Sequence, residues 1–275
     1  MFPEFPKSCN LQFELFNTEL KVTPYGICLA LALIAALLVY NFYLDYKKVD
    51  EKVKDFGYIT AIVAIVGGFG GAALFQAVYA WIESGFKIFE FNGITAMGGF
   101  ISGAGIFLAV YFGAGHFVFA NGKEKDLHIK QFNSIFLVAP ICVTIAHAIG
   151  RIGCLMAGCC HGAKVLEGQG GIYMGDGYYI PVQLYESLFL FALFALLTVM
   201  YFKRYNITHA VYLIAYAIWR FIAEFLRADT GRGSVGLGSI TPSQFQSIVF
   251  LLGGIALLVV YKVKNIPFRL LEREE

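Results

Sequence analysis

The stretch Tyr25-Gly-Ile-Cys-Leu-Ala-Leu-Ala-Leu-Ile-Ala-Ala-Leu-Leu-Val-Tyr-Asn-Phe-Tyr-Leu44 runs without a single charged residue. About 20 mostly apolar residues, wound as a helix, cross a hydrocarbon core of about 30 Å. In lipid such a segment has to be helical, because no water is present to satisfy the backbone polar groups. Working outward from it, comparable runs lie at 58–82, 94–119, 132–149, 183–202, 208–226 and 244–261. With 25–44 they predict an all-α integral membrane protein of about seven transmembrane helices, forming a single transmembrane domain over 1–275. The runs at 58–82 and 94–119 are long, so tilt or a re-entrant piece is expected there. Composition agrees: 58% of residues are hydrophobic and 15% charged, against about 25% charged in soluble domains.

The connections carry an orientation signal. One side receives Lys47, Lys48, Lys52, Lys54, Lys123, Lys125, Lys130, Lys203, Arg204, Lys262, Lys264, Arg269 and Arg273. The other receives fewer: Lys7, Lys21, Lys87, Arg151, Lys164, Arg227 and Arg232. The positive-inside rule then places the N-terminus outside and the C-terminus in the cytoplasm. Residues 1–24 lack the basic start, apolar run and small-residue site of a cleavable signal peptide. A net charge of +2 leaves no nucleic-acid footprint. Gly67–Gly71 lies inside a span without the Lys-Ser/Thr of a phosphate-binding loop, so no nucleotide or other cofactor is expected.

Polar residues at membrane depth are costly and mark function by default. One group is His147-Ala-Ile-Gly-Arg151-Ile-Gly-Cys154-Leu-Met-Ala-Gly158-Cys159-Cys160-His161. His147, Arg151 and Cys154 share a face if the helix continues past Gly150 and Gly153. A planar guanidinium among glycines suits a phosphate; the alternative is an Arg snorkelling to the interface. A second group is Tyr216-Ala-Ile-Trp-Arg220-Phe-Ile-Ala-Glu224-Phe-Leu-Arg227. Here Arg220, Glu224 and Arg227 are expected to stack on one face, with Tyr216 a turn earlier. They form either a self-neutralising ion pair or an anion site with one unmatched positive charge. In Pro181-Val-Gln183-Leu-Tyr185-Glu186, the polar residues either support a helix start or contact a ligand. Gly98 and Gly99 either pack helices closely or let a head group approach backbone N–H groups. Tyr25 suits an aromatic belt or a cavity wall.

These motifs together resemble one family, the prolipoprotein diacylglyceryl transferases. Gly150-Arg151-Ile-Gly153 resembles the core of the family signature, and Pro181 to Glu186 its Pro-x-Gln-Leu-Tyr-Glu segment. Tyr216 to Arg227 is similar to its Tyr-x-x-x-Arg-Phe-x-x-Glu-Phe-x-Arg helix, Tyr25-Gly26 opens the first span, and Thr241 to Ser247 resembles the start of the last. The resemblance implies seven transmembrane helices with the C-terminus inside, in the bacterial cytoplasmic (inner) membrane. It implies transfer of a diacylglyceryl group from phosphatidylglycerol to the thiol of a lipobox cysteine in a secreted lipoprotein precursor, with glycerol phosphate leaving. A preorganised Arg stabilises the charge that gathers on the phosphate. The resemblance assigns Arg151 and Arg220 to that phosphate and Glu224 to orienting Arg220. Tyr25, Gly98, Gly99, Gln183, Tyr185, Glu186, Tyr216 and Arg227 would line the substrate cavity.

The chain departs from the family pattern in three places. Met97 stands before Gly98-Gly99 where the family has His, so His147 or His161 becomes the candidate base. Where the family signature continues with Asn and later Asn-Gly-Glu, this chain has Cys154 and Ala157-Gly158-Cys159, and Cys160 and His161 follow. The 163–180 loop is short and glycine-rich. Several readings of the cysteines stand: a disulfide, plain packing, a nucleophile that carries the lipid covalently, or metal ligation. No metal is expected, since Cys-x4-Cys-Cys-His is not a standard zinc spacing. The other readings of the whole chain are a family member with a different acceptor and a non-enzymatic lipid-binding protein or transporter.

Overall fold

The computed structural model describes residues 11–15, 18–87, 89–91, 93, 95–227 and 240–269. Among these, seven α-helices carry almost all the regular structure: α1 (Pro24–Tyr46), α2 (Glu51–Glu83), α3 (Ala96–Val118), α4 (Leu127–Met156), α5 (Val182–Phe202), α6 (Thr208–Glu224) and α7 (Pro242–Val263). All but α6 are long and apolar enough to cross a membrane. Helix α6 has 17 residues, about 25 Å at 1.5 Å per residue, and it carries Arg220 and Glu224. The chain is an all-α integral membrane protein. Many large apolar side chains are exposed along the helices, for example Leu38 (64%), Val66 (68%) and Phe117 (81%), as a lipid-facing surface requires.

Two short β elements accompany the helices. Strands β1 (Leu11–Leu15) and β2 (Thr18–Val22) form an antiparallel hairpin with Leu15 opposite Thr18. Between α4 and α5, β3 (Lys164–Val165), β4 (Ile172–Tyr173) and β5 (Tyr178–Tyr179) form a sheet in the order β3-β5-β4.

The chain divides into two compact units. The unit of residues 44–135 holds α2 and α3, which pack through small residues. A Cβ at Gly68 would stand 3.1 Å from the Gly99 carbonyl oxygen and 3.3 Å from Gly103 Cα, and one at Gly98 would collide with Phe75. Only hydrogen at those positions lets the backbones approach this closely. Thr95 caps α3 by accepting from the Gly98 N–H at 3.2 Å. Helix α2 is one continuous helix of 33 residues, about 50 Å long. Neither long run contains a re-entrant break: each is a single helix.

The unit of residues 1–43 and 136–275 holds most of α1 and α4, together with α5, α6 and α7. Hydroxyl groups stitch its helices. Ser187 Oγ donates to the Ala148 carbonyl at 2.9 Å, Thr208 Oγ1 to Leu137 at 2.9 Å, and Tyr201 Oη to Tyr43 at 2.9 Å. Each such bond between helices in lipid contributes on average about 0.6 kcal/mol. Their value here is register: the first two fix α5 and α6 against α4, which carries Arg151.

Candidate active site

Helix α4 continues through Gly150 and Gly153 to Met156, so His147, Arg151 and Cys154 do lie along one face. Facing them is Glu186, on the second turn of α5 and fully buried. Its carboxylate is a hub. Arg151 Nη2 lies 2.8 Å from Oε2 and donates to Oε1 at 3.0 Å. The Tyr216 hydroxyl donates to Oε1 at 3.1 Å, and His147 Nε2 lies 3.6 Å from the same oxygen. The His147 and Tyr216 rings meet edge to face with centroids 5.3 Å apart. One buried carboxylate therefore ties α4, α5 and α6 together and fixes the Arg151 side chain, which is 14% exposed.

Helix α6 presents the second guanidinium. Arg220 Nη2 lies 3.2 Å from Glu224 Oε2, one turn on, and donates to Ser243 Oγ on α7 at 2.7 Å. Ser243 follows a helix start that the sequence encodes: Thr241 and Gln244 form a reciprocal capping box around Pro242. Helix α6 ends at Glu224 and the chain turns on through Phe225 and Leu226, with the Arg227 N–H donating to Glu224 O at 3.1 Å. Arg227 lies within electrostatic reach of Cys160. Both Arg151 and Arg220 lie within such reach of Tyr216. Arg151 Nε and Arg220 Nη1 are buried and have no hydrogen-bond partner among the described residues.

The remaining residues singled out from sequence distribute as follows. Gln183 is fully buried and donates from Nε2 to the Cys159 carbonyl at 3.0 Å. Tyr185 is 37% exposed and Tyr25 43%. The Tyr25 ring lies against α4 at Gly153, where a Cβ would stand 3.2 Å from it. Gly98 and Gly99 belong to the other unit and pack α3 on α2. The His161 ring lies tilted against Tyr179 of β5 with centroids 3.9 Å apart. Sequence reasoning missed Ser243 as the partner of Arg220, although Thr241-Pro-Ser-Gln244 carried a capping signal.

The helix end beyond Arg151 has a definite geometry. Gly158, at φ +64°, takes the left-handed conformation that glycine adopts without strain. The Gly158 N–H donates to Leu155 O and the Cys159 N–H to Cys154 O, both at 3.1 Å. This is the paired hydrogen bonding of a Schellman cap. Cys154, Cys159 and Cys160 are free thiols, and their sulfur atoms all lie within 4.8 Å of one another. Hydrogen bonds from Cys154 and Cys159, then the charges of Arg151 and Arg227, lower the pKa of the Cys160 thiol against the opposing effect of burial.

A family model of prolipoprotein diacylglyceryl transferase matches residues 13–260. The chain belongs to the prolipoprotein diacylglyceryl transferase family. A phosphatidylglycerol–prolipoprotein diacylglyceryl transferase 2 of Clostridium perfringens is 33% identical over 267 residues, covering 92% of this chain and 95% of its own length. The similarly named protein of Clostridium tetani is 31% identical, with 88% and 94% covered. That of Campylobacter lari is 30% identical, with 92% and 93% covered. In this member of the prolipoprotein diacylglyceryl transferase family, the buried Arg151–Glu186–Tyr216 and Arg220–Glu224–Ser243 groups both lie inside the matched region.

Proposed function

We propose that this protein transfers the diacylglyceryl group of phosphatidylglycerol to the thiol of a prolipoprotein cysteine, within the bacterial cytoplasmic membrane. The names of its relatives give the donor and acceptor classes. The observation that carries the reading is the pair of buried guanidiniums. Each is held by a carboxylate, and each keeps a buried N–H with no partner among the described residues. An unpartnered buried donor is costly, and a phosphate oxygen supplies the missing acceptor in the bidentate style that Arg favours.

The reaction follows from that arrangement. The acceptor thiol gives its proton to a base, for which His147 and His161 are the candidates, and its sulfur attacks the glyceryl carbon; the C–S bond forms as the C–O bond to phosphate breaks. Glycerol phosphate leaves with the electron pair. Charge grows on the phosphate as the bond breaks, and Arg151 and Arg220, fixed beforehand by Glu186 and by Glu224 with Ser243, stabilise it in a low-dielectric setting. Gln183, Tyr25 and Tyr216 wall the site. The loop charges support an orientation with the N-terminus outside and the C-terminus in the cytoplasm. That orientation puts the 157–181 connection on the side where secreted precursors emerge.

The test is to incubate the purified protein with labelled phosphatidylglycerol and a lipobox peptide. The expected result is glycerol phosphate release equal to peptide labelling, abolished in Arg151→Ala and in Arg220→Ala. Bound lipid without release would instead favour a non-enzymatic lipid-binding protein, and full activity in both variants would refute the assignment.

A further inference from the structure

We infer that Cys154, Cys159 and Cys160 form a binding site for a thiophilic divalent cation of the zinc class, with an open coordination position for the acceptor thiol. The role of the open position rests on the transferase reading above; the site itself does not.

The argument begins with the helix cap. In a Schellman cap the residue after the left-handed one folds back over the residue five before it, and the two side chains normally make an apolar contact. Here those two positions are Cys159 and Cys154. The backbone turn that ends α4 therefore brings two thiols together, whatever their spacing in sequence. Cys160 is itself left-handed, at φ +60°, a conformation uncommon for a residue with a Cβ. That second reversal brings the third sulfur into the group. Gln183, fully buried, pins the arrangement by donating to the Cys159 carbonyl at 3.0 Å.

The dimensions suit a metal. Zinc–sulfur bonds of about 2.3 Å place ligand sulfurs about 3.8–4.0 Å apart in tetrahedral or trigonal geometry. The three sulfurs are already within 4.8 Å of one another, so closing on an ion needs shifts of less than about 1 Å. Cys159 and Cys160 are exposed, which leaves an ion a way in. His161 lies outside the group, and its ring is engaged by Tyr179. Among the described residues the chain thus supplies three ligands to an ion that prefers four, the arrangement of a zinc site with an open position. Three thiolates around a divalent ion carry one net negative charge, and Arg151 and Arg227 lie within electrostatic reach to balance it.

The position of the cluster gives it a use. Cys154 sits one turn beyond Arg151 on the same face of α4. A thiol that coordinates such an ion is deprotonated on binding, its proton passing to solvent at the exposed side of the cluster. The bound thiolate sulfur then forms the C–S bond while the C–O bond to phosphate breaks and glycerol phosphate departs. The product thioether, a weaker ligand than a thiolate, leaves the ion.

The experiment uses the full-length protein in detergent, reduced, stripped of metal and titrated with Co²⁺ and then Zn²⁺ alone. About one ion per chain is expected, with thiolate-to-cobalt charge transfer and tetrahedral d–d bands. Both should be lost in the Cys154→Ser/Cys159→Ser/Cys160→Ser variant. Because that variant could fold poorly, Cys159→Ser alone is measured beside it and should weaken binding at least tenfold. A lipobox peptide should shift the cobalt bands, and its serine counterpart should not. Binding that is unchanged in the triple variant, or absent from the wild type, overturns the site. So does a two-dalton mass loss, marking a disulfide, in protein isolated without reductant. Bands that ignore the peptide overturn the role of the open position. Wild-type glycerol phosphate release by stripped protein defeats this inference and spares the transferase reading. Metal binding and a peptide shift without any release do the reverse.

Discussion

Glu186→Gln is the substitution that probes the site most sharply, because it keeps the shape of the hub and removes its charge. The carboxylate, itself fully buried, holds Arg151 through contacts of 2.8 and 3.0 Å and Tyr216 through one of 3.1 Å. In Gln one oxygen remains to accept a hydrogen bond, and the other becomes an NH2 group that faces Arg151, donor against donor. A hydrogen bond to a charged group contributes about 1.5–3 kcal/mol. Leaving a buried guanidinium without its counter-ion raises the loss to about 3–5 kcal/mol. At 1.36 kcal/mol per factor of ten, the part that falls on Arg151 positioning lowers kcat/KM by about 100- to 1,000-fold. The assay is single-turnover release of glycerol phosphate from labelled phosphatidylglycerol, with lipid affinity measured separately. Tyr216→Phe removes one hydroxyl and should cost about tenfold. In the Glu186→Gln background its further cost should shrink, because both changes act on one carboxylate. Activity of Glu186→Gln within fivefold of wild type, or strictly additive effects of the two substitutions, would refute the hub argument.

Other substitutions test the remaining geometry. Arg220→Lys removes the Nη1 donor that stands beside the Nη2 held by Glu224 and Ser243, and should lower kcat/KM about 10- to 100-fold; Ser243→Ala, which deletes one neutral acceptor, should cost about tenfold or less in the same assay. Gly153→Leu places a Cβ 3.0 Å from Cys28 Cβ and 3.2 Å from the Tyr25 ring, so a loss of about 1–3 kcal/mol should appear as a lower melting midpoint in detergent. Gly68→Val crowds the Gly99 carbonyl and Gly103 and should destabilise the α2–α3 pair by a similar about 1–3 kcal/mol, read as increased proteolysis of residues 44–135.

Much of this molecule could be read from its sequence, for a physical reason. Lipid leaves the backbone almost no alternative to helix, so apolar runs such as 25–44 and 183–202 translate directly into α1 and α5. The ends are less legible. Helix α6 stops at Glu224 although the apolar pattern runs to 226. The hairpin at 11–22 also went unread, despite the alternation in Leu11-Gln-Phe-Glu-Leu15 that marks a strand. Within the site, Arg220 and Glu224 were legible because four residues make one helical turn. The Arg151–Glu186 pair was not, since 35 residues and a loop separate its members. Each of these could be flagged singly as a charge in lipid, but only the packing of α4 on α5, fixed by Ser187, makes them partners.

The cap at the end of α4 has an evolutionary consequence. Two of the three thiols stand where an ordinary helix terminus would carry a pair of apolar side chains, and no insertion or longer loop was needed to bring them together. A lineage could therefore acquire or discard this cluster by point substitution, with the glycine turn and the arginine behind it left in place. The chemistry presented at this helix end can therefore change while the turn that positions it stays the same.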